Sequence, residues 1–351
     1  SVSNFQNESA IVSFFGRLTY NFDDRYLLTA TIRHDGSSRF GPDRRWGTFP
    51  AVSAGWNLSR EAFMENVEQI TNLKLRAGYG ISGSDNTSLY QWNSRIGSGD
   101  NQNYVLNGGR VPGAILTRIA NPLLGWEEIS MLNLGVDIGF FNQRLEVTID
   151  YFDKITEGML LPFAPALEVG TLSNPSGNLG KLQNRGIELT ISSMNIATNN
   201  FSWRSDLNFS AISNEILALP EGADRFNGLD FGPTVNISRV GEEIGALFGF
   251  QTNGVFQNWN EVYSHAYQNQ SVTGFDEATG LPIYSENTDQ ATINNNTAPG
   301  DLRYVDQNGD GFIDADNDRV VIGSTIPDFT WGFNNTFRYK GINLSIFFQG
   351  V

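Results

Sequence analysis

Residues 132–151 read Leu132-Asn133-Leu134-Gly135-Val136-Asp137-Ile138-Gly139-Phe140-Phe141-Asn142-Gln143-Arg144-Leu145-Glu146-Val147-Thr148-Ile149-Asp150-Tyr151. Residues two apart on a β-strand share a face, so a strand with one apolar side writes apolar and polar residues in turn. Here Leu132, Leu134, Val136, Ile138 and Phe140 fall on one side, and Asn133, Gly135, Asp137 and Gly139 on the other. The alternation resumes at Leu145, Val147, Ile149 and Tyr151 against Glu146, Thr148 and Asp150. The pair therefore predicts an antiparallel hairpin with a tight turn.

The same period recurs in residues 14–22, 26–32, 52–58, 73–79, 187–191, 203–211, 329–339 and 342–348, which predicts about ten strands in all. Several reach the roughly 9–11 residues that a tilted strand needs to cross a bilayer. Trp56, Tyr79, Trp203, Trp331 and Tyr339 sit near strand ends, where an aromatic girdle belongs, while Arg17, Arg76, Asp137, Asp150, Glu188 and Asp206 fall on the opposite face. A soluble sandwich alternates too, so the joints between strands help to decide. Asp23-Asp24, Asn142-Gln143, Thr198-Asn199-Asn200 and Lys340-Gly341 are short, whereas residues 35–46, 82–127, 159–185 and 214–328 are long and rich in Gly, Asn and Asp. Short turns on one rim and long loops on the other is the layout of outer-membrane barrels. Residues 57–71 fit less well, because they fall on the short-turn side yet hold a helical turn at Glu61–Asn66.

Composition narrows the function. With 23 Lys and Arg against 38 Asp and Glu, a net charge of -15, the chain lacks the basic footprint of a nucleic-acid binder, and cations suit it better as small partners. The absence of Cys removes disulfides and thiolate chemistry, and fits an exported bacterial protein. His34 and His265 are the only histidines and lie far apart in sequence, so neither a catalytic triad nor a metallohydrolase centre can be assembled from the sequence, and no enzyme is predicted. Gly80-Ile81-Ser82-Gly83-Ser84 and Gly108-Gly109 precede no patterned helix with a phosphate-binding Lys. No run of eighteen apolar residues occurs, and Ser1 opens without a charged, apolar leader.

Several segments carry a family resemblance. They are Asp35-Gly36-Ser37-Ser38-Arg39-Phe40-Gly41, then Arg45-Trp46-Gly47-Thr48-Phe49-Pro50-Ala51 and Gly55-Trp56; Asn72-Leu73-Lys74-Leu75-Arg76-Ala77-Gly78-Tyr79-Gly80; and Pro299-Gly300-Asp301-Leu302-Arg303-Tyr304 continuing into Asp306-Gln307-Asn308-Gly309-Asp310-Gly311. Asp318-Arg319-Val320-Val321-Ile322-Gly323 and Pro327-Asp328-Phe329-Thr330-Trp331-Gly332 complete the set. In this order they resemble SusC/RagA-type TonB-dependent outer-membrane transporters of Bacteroidota. The resemblance implies a plugged barrel of about twenty-two strands that imports an oligosaccharide or peptide. It also implies a SusD-like surface lipoprotein as lid, energy from the TonB complex, and outer-membrane lipid around the wall. On this reading residues 1–351 belong to one barrel domain and form its middle-to-late part, without plug, TonB box or final strands, and residues 214–327 form a long extracellular loop region. The open edges of such a part expect further strands as neighbours.

Within that loop region Asp306, Asn308, Asp310, the carbonyl of Phe312 and Asp314 match the first nine positions of a calcium loop, where oxygen ligands recur at alternate residues and Gly allows the sharp turn. The expected final acid is displaced to Asp318, because Asn317 occupies position twelve. The alternative is an ion-free Asp/Asn/Gly turn. Tyr90, Trp92, Trp126, Trp259 and Tyr263 are candidate substrate contacts, since aromatic faces offer rigid area to sugars or side chains; packing of the loops upon themselves is the competing role. Two other functions stay open on these residues: a secreted, calcium-bound, glycan-binding adhesin with its aromatic face inside, and a passive porin without a plug.

Overall fold

The computed structural model describes residues 7–98, 102–163, 165, 168, 170, 173–220, 235–266, 268, 272–275, 282–284 and 297–351. Ten strands form one antiparallel sheet in sequence order: β1 (Ile11–Phe22), β2 (Tyr26–Ser37), β3 (Trp46–Asn57), β4 (Ile70–Ser84), β5 (Glu127–Phe140), β6 (Leu145–Pro162), β7 (Ser176–Ala197), β8 (Phe201–Ala218), β9 (Phe329–Tyr339) and β10 (Ile342–Gly350). Every neighbour in the sheet is a neighbour in sequence, as the alternating joints predict.

The short joints close with residues that accept a left-handed backbone. Asp23 and Asp24 have φ of 53° and 49°, and the Arg25 N–H returns to the Phe22 carbonyl at 3.0 Å. Phe141, Asn142 and Gln143 adopt φ of 52°, 57° and 63°, and Lys340 does so at 52° beside Gly341. Asp and Asn tolerate this region better than most residues, and such turns match the strands' twist. The β3–β4 joint is long because it is anchored. It carries 3-10 turns at Leu58–Arg60 and Ala62–Met64, and Glu61 accepts the Trp56 indole N–H at 2.9 Å while Arg60 pairs with Asp24 at 3.1 Å.

Register places the two faces. Across β2 to β7, one row runs Leu28, Ala54, Ala77, Leu134, Tyr151, Ile187, and the row beside it, Gly55, Arg76, Gly135, Asp150, Glu188, lies on the other face. The apolar face is bare. Leu18, Tyr20, Leu28, Ile32, Val52, Leu134, Ile149 and Ile187 are all exposed, from 41% upward. Leaving such side chains about half in water forgoes roughly 1 kcal/mol each; together they are comparable to the ~5–15 kcal/mol by which a domain is usually stable. Among the described residues no second sheet covers this face, and the few buried apolar side chains of this part, Phe40, Phe49, Leu124 and Ile216, gather toward the long-loop ends of the strands. Water is the wrong solvent for such a wall.

One row departs from the pattern. Ser193, Ser205 and Asn335 stand side by side on the apolar face. Their oxygens are satisfied internally, because the Asn335 carbonyl accepts the Trp203 indole N–H at 3.0 Å and the Ser205 hydroxyl at 2.7 Å, as a medium without water requires.

The chain divides into two compact units, the first holding the sheet and the second comprising Arg225–Ser238 and Ile244–Thr325. The second falls within the long connection between β8 and β9, and β8 itself runs to Ala218, past the 214 boundary expected for the loop region. In the second unit Asn236–Ile237, Ala246–Phe250 and Arg319–Gly323 form a small sheet over Ile237, Ala246 and Phe248, with Val321 packed on it. Helix α1 (Trp259–Ser264), capped by Asn258, sits with Phe256 and Val262 in a separate cluster.

Candidate functional site

The polar face is the first candidate. Arg76 on β4 holds Asp137 on β5 with two hydrogen bonds of 2.8 and 3.0 Å, and its Nη2 reaches past β5 to Asp150 on β6 at 3.1 Å. Thr148 adds a hydroxyl donated to Asp137 at 3.2 Å. Gly135 makes the long reach possible, since a Cβ there would lie 2.7 Å from the guanidinium. Arg33–Asp35 and Arg204–Asp206 pair on the same face at 2.7 and 3.0 Å. These charges chiefly pair with one another.

At the long-loop end, the residues that carry the family resemblance have a structural reason. Phe40 is fully buried and packs at 5.3 Å on Trp126, which also meets Phe49 at 5.3 Å and donates its N–H to the Arg45 carbonyl. Gly47 and Gly83 leave the space that the Phe49 ring fills, and Gly36 does the same for Trp46, whose ring a Cβ would approach to 2.8 Å. Ser37, fully buried, donates its hydroxyl to Asp85 at 2.7 Å, and Arg39 pairs with the same carboxylate. Asn178 clasps the β4–β5 connection through the N–H and carbonyl of Gly125, and β6 through the carbonyl of Gly158. Nothing in the sequence pattern singled out Asn178 or Asp85; an isolated polar residue beside a strand end gives no such signal.

The calcium-type loop spans Asp306 to Asp318 in the second unit. Asp306 accepts the N–H groups of Gly309 and Gly311, Asn308 accepts that of Asp310, and Asp310 accepts that of Phe312. Asp318, fully buried, accepts N–H from Gln307 and Asp314 at 2.8 and 2.7 Å. Burial pushes the Asp314 carboxyl up, but hydrogen bonds from Asn317 and Asp316 outweigh it and hold the group below the usual carboxylate range. Among the described residues no three acidic or His side chains stand together as a ligand set. The loop's oxygens are engaged by its own backbone.

The candidate substrate aromatics are divided between the two units, and each is described in its own surroundings. Trp126 belongs to the Phe40 and Phe49 core. Tyr90 is exposed in the β4–β5 connection, and Trp92 lies against Gly41 there. Trp259 packs on the Phe256 and Val262 cluster of the second unit, and the side chain of Tyr263 lies outside the described residues.

A family model described as TonB dependent receptor-like, beta-barrel matches residues 1–231. The chain belongs to that family. As a TonB-dependent receptor barrel it lies in the bacterial outer membrane, and the bare apolar face is the wall that meets lipid. It is similar to TonB-dependent receptor P3 of Formosa agariphila, 35% identical over 99% of this chain and 32% of that protein. SusC of Bacteroides thetaiotaomicron is 30% identical over 97% of this chain and 31% of its own length. A solved structure titled as the RagAB peptide transporter superposes with a TM-score of 0.72 at 23% identity, covering 97% of this chain and 33% of that one, which shows a shared fold. The chain thus spans about a third of the length of the relatives it matches. The SusC/RagA resemblance read from residues 35–56, 72–80 and 299–332 is borne out by these relatives.

Proposed function

We propose that the protein is an active importer of SusC/RagA type, taking an oligosaccharide or peptide through the outer membrane. TonB supplies the energy and a SusD-like surface lipoprotein is the partner. The observation that carries this reading is the pairing of a lipid-facing wall with relatives named as TonB-dependent receptors, among them SusC. On this reading the long connections are extracellular, the short turns are periplasmic, and the protein's chemistry is limited to binding and gating. A porin would share the wall but need no energy.

The test uses the complete gene in its native host. Growth on a panel of glycans and peptides as sole nutrient, in the wild type, a deletion of this gene and a TonB deletion, is expected to single out one nutrient that both deletions lose. Uptake of that nutrient unaffected by loss of TonB would replace the importer by a porin.

Calcium at Asp306, Asn308, Asp310, the Phe312 carbonyl, Asp314 and Asp318 is part of the same proposal, as a structural ion that would draw these oxygens from their backbone N–H partners. Spacing supports it. Calorimetric titration of the intact protein after chelation is expected to show saturable heat with calcium, reduced by Asp318→Asn. A flat titration would leave the loop as a hydrogen-bonded turn.

A further inference from the structure

We propose that the apolar wall carries, at its short-turn end, a seat for an anionic phospholipid of the periplasmic leaflet, with the phosphate at Arg144 and an acyl ester carbonyl on the side-chain amide of Asn335. The leaflet rests on the reading that the short turns are periplasmic. Ser193, Ser205 and Asn335 form one cross-strand row on the lipid-facing side, between Leu145 on β6 and Ile346 on β10. The next row toward the long loops, Val147, Ile191, Leu207, Phe333 and Phe348, is wholly apolar. A polar track therefore enters the hydrocarbon here.

Its hydrogen bonds form a chain. The Ser193 hydroxyl donates to the side-chain carbonyl of Asn195 at 2.9 Å, the Asn195 amide to the Ser205 hydroxyl at 2.7 Å, and that hydroxyl to the Asn335 carbonyl at 2.7 Å. The Trp203 indole can only donate, so it fixes the Asn335 oxygen toward itself and turns the NH2 away. That NH2 has no protein partner among the described residues, although Asn335 is only 8% exposed. Leaving such a donor unmade in hydrocarbon is costly, and an acceptor has to come from the surroundings. An ester carbonyl is the acceptor that a phospholipid brings to a wall just inside the rim.

Charge at the rim selects the headgroup. In a chain of net charge -15, the joints at 141–144, 198–200 and 340–341 hold Arg144 and Lys340 and no acid. Arg144 donates to the backbone carbonyls of Met194 and Asn195 at 3.2 and 3.0 Å, which holds the guanidinium beside the track and leaves Nη1 free. Among the described residues no carboxylate stands within ion-pair distance of Arg144 or Lys340, and Glu146, two residues from Arg144, falls on the polar face. Lys340 lies over the exposed ring of Tyr339 at 5.4 Å. Unopposed cations at a membrane rim attract anionic headgroups, and a guanidinium matches phosphate oxygens. Ile346 and Phe348, exposed beside the track, need hydrocarbon against them, which a soluble anion does not bring.

The test is native mass spectrometry of the complete protein, released from detergent after incubation with equal amounts of phosphatidylglycerol, phosphatidylcholine and a diether phosphatidylglycerol that lacks the ester carbonyls. Phosphatidylglycerol is expected to be retained best, above phosphatidylcholine by its charge and about threefold above its diether form, the size of one neutral hydrogen bond. Arg144→Gln is expected to lower its retention about tenfold, as for one charge-assisted hydrogen bond, with the ratio of diester to diether unchanged. Lys340→Gln, which touches no hydrogen bond of the track, is expected to weaken the preference over phosphatidylcholine, and heat-modifiable gel migration confirms that both variants are folded. Equal retention of phosphatidylglycerol and phosphatidylcholine by the wild type, or equal retention of the diester and diether forms, would overturn the proposal; neither result bears on nutrient uptake.

Discussion

Glycine decides much at the residue scale. In a strand it marks close approach by another group, and here Gly83 and Gly47 frame the Phe49 ring while Gly135 lets Arg76 cross to Asp150. A methyl at Gly83 would intrude on the Phe49 ring, which Trp126 holds from another side, whereas at Gly135 it would meet the movable end of Arg76. Gly83→Ala is therefore expected to cost about 1–3 kcal/mol by overpacking. Gly78→Ala, with 3.7 Å to its nearest neighbour, is the matched control. Urea unfolding of the complete protein in detergent measures the difference, and equal midpoints for the two variants would refute the account of Phe49. The sequence announced the glycines but not their rings, because the contact joins β3 to β4 at a register that neither segment specifies alone.

Elements were legible where a membrane disciplines them. All ten sheet strands contain a stretch of alternation visible in the sequence, since lipid on one face and water on the other enforce it. Beyond the lipid both faces meet water, and alternation fades: β7 runs from Ser176 to Ala197, yet only residues 187–191 carry the clear pattern. Bulges add to this, and the register shifts between Met194 and Ile196 and between Glu157 and Met159 break the parity on which the reading depends. The β3–β4 joint, too long for a simple turn, is held by Glu61. Hydrogen bonds from Trp56 and Tyr26, with Arg25 nearby, lower its carboxyl below the usual range. A depressed carboxylate contributes stability above its unfolded pKa of about 4.3, and loses that contribution as pH falls through the folded value. Glu61→Gln is expected to lower the thermal midpoint at pH 7, with the gap to wild type closing in acid below pH of about 4. A gap that stays constant from neutral to acid would mean that Glu61 acts by shape and not by charge.

For the whole molecule, the fold and its membrane setting follow from which solvent each face requires. The cargo does not. Trp92, Trp126 and Trp259 sit in separate local packings, and a loop aromatic writes the same letter whether it packs on its own loop or stacks on a sugar. The calcium spacing was equally readable as spacing, but an Asp that accepts a backbone N–H and an Asp that ligates an ion look alike in a sequence. Because these 351 residues contain no Cys, single cysteines for spin labels introduced here are the only labelling sites in this part of the wall, and any Cys elsewhere in the complete protein is first replaced by Ser. Labels at positions 134, 149, 187 and 333 of the complete protein in bilayers are compared with labels at 137, 188 and 190. The first set is expected to collide with oxygen and be shielded from a water-soluble nickel chelate, and the second set to do the reverse. Nickel access at 134, 149, 187 and 333, or burial of those four from both reagents, would contradict a lipid-facing wall.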